Sequence, residues 1–193
     1  MTPDGPFKTL DSRIVYRNPP WYVLRRDEIA LPDGGQAVYT VVERPGGVWI
    51  IPALPDGRLV IIRNYRYTVQ GWLWEIPAGG LRDGIAPAEM ARLELAEEVG
   101  GTAETIERVA TFYTMPGIGD EVAHVFLARG VTLGEQHLEP TEVMERHILP
   151  LDEVLGMIER GELADGPSAL AILLALPKLR ELQMADGSRP AGA

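Results

Sequence analysis

The chain contains no cysteine, which excludes disulfides and thiolate metal sites. It has no run approaching the roughly 18 consecutive apolar residues needed to span a bilayer. Its N-terminal stretch, MTPDGPFKTLDSRIVYRNPP, lacks the basic-then-apolar pattern of a secretory leader, so a cytoplasmic location is expected. Basic residues are in deficit, with 18 Lys and Arg against 28 Asp and Glu, for a net charge of −10. That balance argues against non-specific binding to nucleic acid. A small phosphorylated ligand stays possible, because a bound cation or a few arginines reverse the sign locally. His124, His137 and His147 are too few and too scattered for a zinc pattern and are expected to be structural.

What remains is an ordinary globular composition, 46% hydrophobic and 24% charged, on 193 residues, enough for one domain with a core and a small extra lobe. β-type runs fill the first part: SRIVYR, WYVLRR, QAVYTVVE, GVWIIPAL and RLVIIRNYRY, separated by the turn-rich NPP, LPDGG, RPGG and PDGR. VYTVVERPGGVWIIPAL reads as two strands joined by a tight Pro-Gly-Gly turn. A helix is predicted over Pro87–Val99, with Pro in its first turn and Gly100-Gly101 at its end. Strands follow around ERVATFY, EVAHVFLARG and ERHILPL, then helices over 151–160 and 167–183. The order predicts an α/β (α+β) fold, a mixed β-sheet with helices packed on it. The expected organisation is an N-terminal β lobe over 1–46, a main domain over 47–184 and a disordered tail over 185–193.

The stretch EIPAGGLRDGIAPAEMARLELAEEVGG, residues 75–101, carries the strongest chemical signal. On a helical wheel at about 100° per residue, Ala88, Ala91, Leu95 and Val99 share the face expected to be buried. Glu94, Glu97 and Glu98 occupy an adjacent arc at i+3 and i+4 spacings, where like charges destabilise a helix in water. A hard cation among them reverses the sign, because Mg²⁺ takes carboxylate oxygens while keeping several waters. Acidic helix faces are common, but this one follows a strand and a glycine loop. There the backbone approaches a ligand closely and carbonyls such as that of Ala78 are free to coordinate.

The stretch resembles the signature of the Nudix hydrolases: Gly, five residues, Glu, seven residues, Arg-Glu, an aliphatic, any residue, Glu-Glu, any residue, Gly. Gly79 matches the first position, and Glu94, Leu95, Glu97, Glu98 and Gly100 match the core. Ile85 stands where the first Glu belongs, Leu93 where the Arg belongs, and Gly101 at the final aliphatic position. Replacing both members of an ion pair by packed apolar groups is often neutral, whereas losing one strands a charge. The two departures therefore read as a structural substitution that spares the metal site.

Other segments resemble the ADP-ribose pyrophosphatase branch in order and spacing: RNYRYTVQGWLWEIPAGG, PGIGDE, EVMERHILPLDEV and DGPSALAILLAL. The resemblance implies a Nudix α/β/α sandwich preceded by a small antiparallel β lobe that builds a homodimer. It implies Mg²⁺, with Mn²⁺ as an alternative, held by the Ala78 carbonyl, Glu94 and Glu98, with Glu97 in support. Glu142 is implied as the late-loop base, with Glu139 and Glu145 close in register. Trp21 and Tyr39 match nucleobase-holding aromatics, Arg66 and Arg44 phosphate-binding arginines, and Glu75 and Glu121 residues contacting substrate or metal. Trp72 and Trp74 alternate with Leu73 and are expected in core or interface rather than in a ligand stack. The implied reaction is metal-assisted hydrolysis of a nucleoside diphosphate sugar, ADP-ribose to AMP and ribose 5-phosphate. GDP-mannose or another such sugar is the nearest alternative, and a non-catalytic nucleotide sensor the alternative of a different class.

Overall fold

The computed structural model describes residues 5–187, and the chain divides into two compact units. The first comprises residues up to Gly46 together with Tyr113–Val122; the second comprises Gly47–Phe112 and the residues from Ala123 onward.

In the first unit, β1 (Lys8–Asn18), β2 (Tyr22–Ala30) and β3 (Gln36–Glu43) form an antiparallel sheet in chain order. Asp27 on the central strand is buried, and accepts hydrogen bonds from the Ser12 hydroxyl at 2.7 Å and from Arg25 Nε at 3.0 Å. Arg25 also pairs with Glu43 across the sheet. A buried carboxylate is tolerable there because its oxygens are satisfied. Residues 113–122 join through the Val42 N–H, which donates to the Ile118 carbonyl at 2.8 Å, and the Arg44 N–H, which donates to Asp120 at 3.2 Å.

The main unit carries β4 (Gly47–Pro52), β5 (Leu59–Arg66), β6 (Gly71–Glu75), β7 (Ala78–Gly80), α1 (Pro87–Val99), β8 (Gly101–Thr102), β9 (Thr105–Tyr113), β10 (Val122–Arg129), β11 (Thr132–Leu133), β12 (Met144–Leu149), α2 (Leu151–Glu159) and α3 (Gly166–Gly187); the last residue of β9 and the first of β10 fall in the other unit. One sheet runs β7-β4-β10-β9, with β4 and β10 parallel; a second, β12-β5-β6, is antiparallel; β8 and β11 form a short pair. The Pro-Gly-Gly turn does join two strands, but they do not form a hairpin: β3 pairs with β2, and β4 pairs with β10 and β7.

The layering follows from apolar runs whose side chains alternate between faces. Val48, Ile50, Val60, Ile62, Phe126 and Ala128 pack with Met90, Ala91, Leu95 and Val99 of α1. Their neighbours Ile51, Leu59, Ile61, Val125 and Leu127 pack with Leu151, Val154 and Met157 of α2 and Ala171, Ile172 and Ala175 of α3. Both faces of the strands are therefore covered by helices. This is the α/β/α arrangement expected.

Two helical expectations change. Ala88 is exposed, and Met90 is buried in its place, so α1 is rolled toward its acidic arc and buries Glu94 and Glu98 beside Leu95 and Val99. α3 runs from Gly166 to Gly187, past the expected end at 183, because Met184 and Ala185 are good helix formers with no breaker before Gly187. Part of the tail expected to be disordered is thus helical, and residues 188–193 lie outside the described residues.

Candidate active site

The glycine loop proves to be a short strand. β7 pairs antiparallel with β4, Gly79 opposite Val48, and the Ile50 N–H donates to the Pro77 carbonyl at 2.8 Å. Backbone groups alternate sides along a strand, so the polar groups of Ala78 point away from β4. Its N–H donates to Glu98 Oε2 at 2.9 Å. Its carbonyl is left on the same side, outside that ladder.

Gly79 is where the chain has no room for a side chain. A Cβ built there would lie 2.0 Å from the Glu94 carboxyl carbon and 2.1 Å from its Oε1. β7 and α1 thus approach so closely that the Glu94 carboxylate fills the space above Gly79. Glu94 and Glu98 are only 6% and 4% exposed, which places two like charges in a weakly solvated site. Burial pushes the Glu94 carboxyl up to about 7, with Glu97 adding to the shift and Arg82 opposing it. Burial also pushes Glu98 well above the ordinary range, opposed by the Ala78 N–H and reinforced by Glu94.

Such a pair fits a hard divalent cation. It offers carboxylate oxygens and a free carbonyl, and it carries negative charge that burial has made costly. Among the described residues no three acidic or histidine side chains are already gathered as a complete cage.

A consequence for stability follows. A carboxyl raised from 4.5 to about 7 contributes its full stability below 4.5 and loses it as pH rises through 7. The penalty at pH 8 is about 3 kcal/mol. Metal-free protein is therefore expected to lose stability from this group between pH 5 and 8, while the rise in Tm on adding Mg²⁺ grows over the same range. Thermal melts with and without EDTA across that range measure both; a metal-induced rise that is constant with pH would show that Glu94 is ionised without penalty.

The segment before β12 is tied to the end of α1. Helix carbonyls in the last turn lack helical partners. Here the Glu97 carbonyl accepts the His137 N–H at 2.8 Å, the Glu98 carbonyl accepts Gln136 Nε2 at 2.6 Å, and the Val99 carbonyl accepts Arg146 Nη1 at 2.5 Å. Gly100, at φ 63°, closes the helix in the left-handed conformation that glycine favours. Of the three late glutamates, Glu142 acts on both Glu94 and Glu98 by charge and Glu139 on Glu94, whereas Glu145 faces His147 at 3.4 Å and Arg63 at 3.8 Å. Glu142 Oε2 accepts the Glu139 N–H at 2.8 Å, which closes the loop on itself.

Arg66 and Glu75 meet in a two-pronged pair, Nε to Oε1 at 2.8 Å and Nη2 to Oε2 at 2.6 Å. Glu75 is buried and Arg66 half-exposed, so Arg66 keeps donors directed away from Glu75. In the first unit, Glu121 accepts the Thr114 hydroxyl at 2.7 Å and pairs with Arg44 at 2.9 Å. Trp21 and Tyr39 also belong to that unit, and both are more than half or about half exposed, at 58% and 50%.

Ile85 and Leu93 are half-buried against the Val48–Met90 core cluster. Trp72 and Trp74 share a face, spanned by the Arg63 guanidinium at 5.5 and 5.8 Å from their rings. His147 packs edge-on to Trp74, and burial lowers the pKa of His124.

Sequence reasoning passed over two residues. The Ser168 hydroxyl, fully buried, accepts the Ile76 N–H at 3.1 Å and donates to Asp165 at 2.5 Å, pinning the residue beside Glu75 to the start of α3. Its signal was an N-cap aspartate three residues before it. Arg82, in the turn after β7, reaches Glu97 Oε2 at 3.4 Å and Glu94 Oε1 at 3.6 Å. No periodicity marks a turn arginine.

The NUDIX domain family model matches residues 43–170, and the model for the nucleoside diphosphate sugar hydrolase N-terminal domain matches residues 7–48. The chain is 33% identical over 148 residues to an ADP-ribose pyrophosphatase of Bacillus subtilis (strain 168), covering 76% of this chain and 80% of the relative. It is 34% identical over 171 residues to an ADP-ribose pyrophosphatase of Mycobacterium tuberculosis, covering 86% and 82%. A crystal structure described as an ADP compounds hydrolase superposes with a TM-score of 0.81 at 20% identity, covering 92% of this chain and 96% of that one, a likeness of fold.

Proposed function

The chain belongs to the Nudix family, and on that premise we propose that it is a hydrolase cleaving the diphosphate of a nucleoside diphosphate sugar, ADP-ribose to AMP and ribose 5-phosphate. The observation that carries this reading is the buried Glu94–Glu98 pair held against Gly79 and the Ala78 N–H. A domain that only bound a nucleotide would gain nothing from burying two carboxylates at such cost.

We assign the Ala78 carbonyl, Glu94 and Glu98 to the cation, Mg²⁺ before Mn²⁺, with Glu97 in support. Bound there, a divalent cation supplies positive charge against the diphosphate and lowers the pKa of the attacking water. Glu142 is assigned as the base: it accepts the water proton as the oxygen attacks phosphorus, and the P–O–P bond breaks toward the leaving phosphate. Its place on a loop anchored at both ends to α1 and β12 supports the assignment. Arg66 donates to the phosphates while Glu75 fixes its plane. Arg44 and Glu121 are assigned to substrate contact, and Trp21 and Tyr39 to the nucleobase, which their exposure supports.

The reading includes a homodimer built on the first unit. Its support is the apolar surface that unit leaves open at Phe7, Leu10, Val15, Tyr16 and Val38. It also includes a cytoplasmic location; no helix of the described residues is long and apolar enough to cross a membrane.

A product assay tests the whole. Purified protein with Mg²⁺ is expected to release AMP from ADP-ribose faster than from ADP-glucose, or GMP from GDP-mannose, and EDTA is expected to stop it. Faster cleavage of GDP-mannose would move the substrate within the class. Binding without any cleavage would make the protein a sensor.

A further inference from the structure

We propose that Arg82 is the resident counter-ion of Glu94 and Glu97 in the metal-free protein and gives way when a divalent cation enters, so that the chain carries an internal competitor for its own metal. The inference rests on Glu94 being a metal ligand, as assigned above.

Three observations support it. First, Arg82 is the only Lys or Arg side chain within 4.0 Å of Glu94 among the described residues, and it reaches Glu97 with the same nitrogen. Glu98 has no such partner and is held instead by the Ala78 N–H. Second, its contacts, at 3.6 and 3.4 Å, are long beside the roughly 2.7–2.9 Å of a closed charged hydrogen bond. The guanidinium lies between two carboxylates and is locked to neither, with its side chain 49% exposed. Third, the turn permits the side chain to leave. Leu81 and Ile85 on either side pack against the core, while a Cβ at Gly80 or Gly84 would meet open space. The flanks of the turn are held to the core, while the Arg82 side chain is 49% exposed.

A doubly charged cation bound to Glu94 and a guanidinium at the same carboxylate repel each other, and the burial of Glu94 limits how far solvent screens them. One must yield, and the exposed, loosely held group is Arg82.

The consequences have opposite signs, which separates a competitor from a structural strap. Removing a competitor weakens the metal-free protein but tightens metal binding. Removing a strap weakens both. The experiment is isothermal titration of substrate-free protein with Mn²⁺, paired with thermal melts in EDTA and in saturating Mn²⁺, for wild type, Arg82→Gln and Arg82→Lys. Arg82→Gln is expected to bind Mn²⁺ about tenfold more tightly, as the loss of one nearby positive charge allows. It is also expected to melt earlier in EDTA and level with wild type in Mn²⁺, while Arg82→Lys stays near wild type. Unchanged or weaker Mn²⁺ binding by Arg82→Gln, with wild type binding normally, overturns the role of Arg82 alone. Absence of Mn²⁺ binding by wild type overturns the metal site and the proposal together.

Discussion

Replacing Glu98 by glutamine is expected to lower kcat/KM for ADP-ribose on the order of a thousandfold, beyond the roughly 10–100-fold typical of residues that only support a metal ligand. The same change should leave the metal-free protein at least as stable as wild type. Glu98 is 4% exposed, and burial and its neighbour Glu94 drive its carboxyl well above the ordinary range. Glutamine keeps the shape and the oxygen that accepts the Ala78 N–H, and removes the charge that the site resists. Loss of function joined to retained or improved stability marks a residue kept for chemistry at the expense of the fold. The measurements are steady-state kinetics and melts in EDTA and in Mg²⁺. The variant should lose most of the rise in Tm that Mg²⁺ gives wild type. A variant that turns over normally would remove Glu98 from the site.

The same balance explains what could be read from the sequence. Glu94, Glu97 and Glu98 were visible because helical spacing places them together whatever the core does, and the glycines before them announced a close backbone approach. A mixed sheet with helices packed on it was visible in the order of the elements, and the α/β/α layering came with the family resemblance; the apolar runs of β4, β5 and β10 are what both helical layers cover. The roll of α1 was not. Ala88 gains little by burial, whereas Met90 fills the cluster, and that difference turns two glutamates inward. Nor was β7 legible: three residues of Ala and Gly have no side-chain alternation to signal a strand, and only pairing with β4 makes them one. Ser168 and Arg82 escaped for separate reasons. The bond of Ser168 to Ile76 spans 92 residues, a range at which single-sequence patterns carry no signal, and Arg82 lies in a turn with no periodicity to mark it.

The close approach at Gly79 gives a second large effect, with its own control alongside. Gly79→Ala places a methyl group 2.0 Å from the Glu94 carboxyl carbon, so one of them must move. β7 is held by pairing with β4, whereas the carboxylate is the end of a rotatable side chain; the carboxylate is what moves. The fold then keeps nearly all its stability, because alanine suits a strand at least as well as glycine. Activity should nevertheless fall about a hundredfold, the scale on which misplacing a catalytic group by an ångström acts. Affinity for Mg²⁺ should fall with it. Gly80→Ala, one residue along the same strand, meets nothing within 4 Å and should behave as wild type. The pair is informative because the two variants share chemistry and strand and differ in what lies above the new methyl: Gly79 is partly buried under Glu94, whereas Gly80 is exposed. Equal activity in the two would mean that the Glu94 carboxylate does its work from another position. A selective loss at Gly79, with the melting curve in EDTA unchanged, would tie turnover to the placement of that single carboxylate.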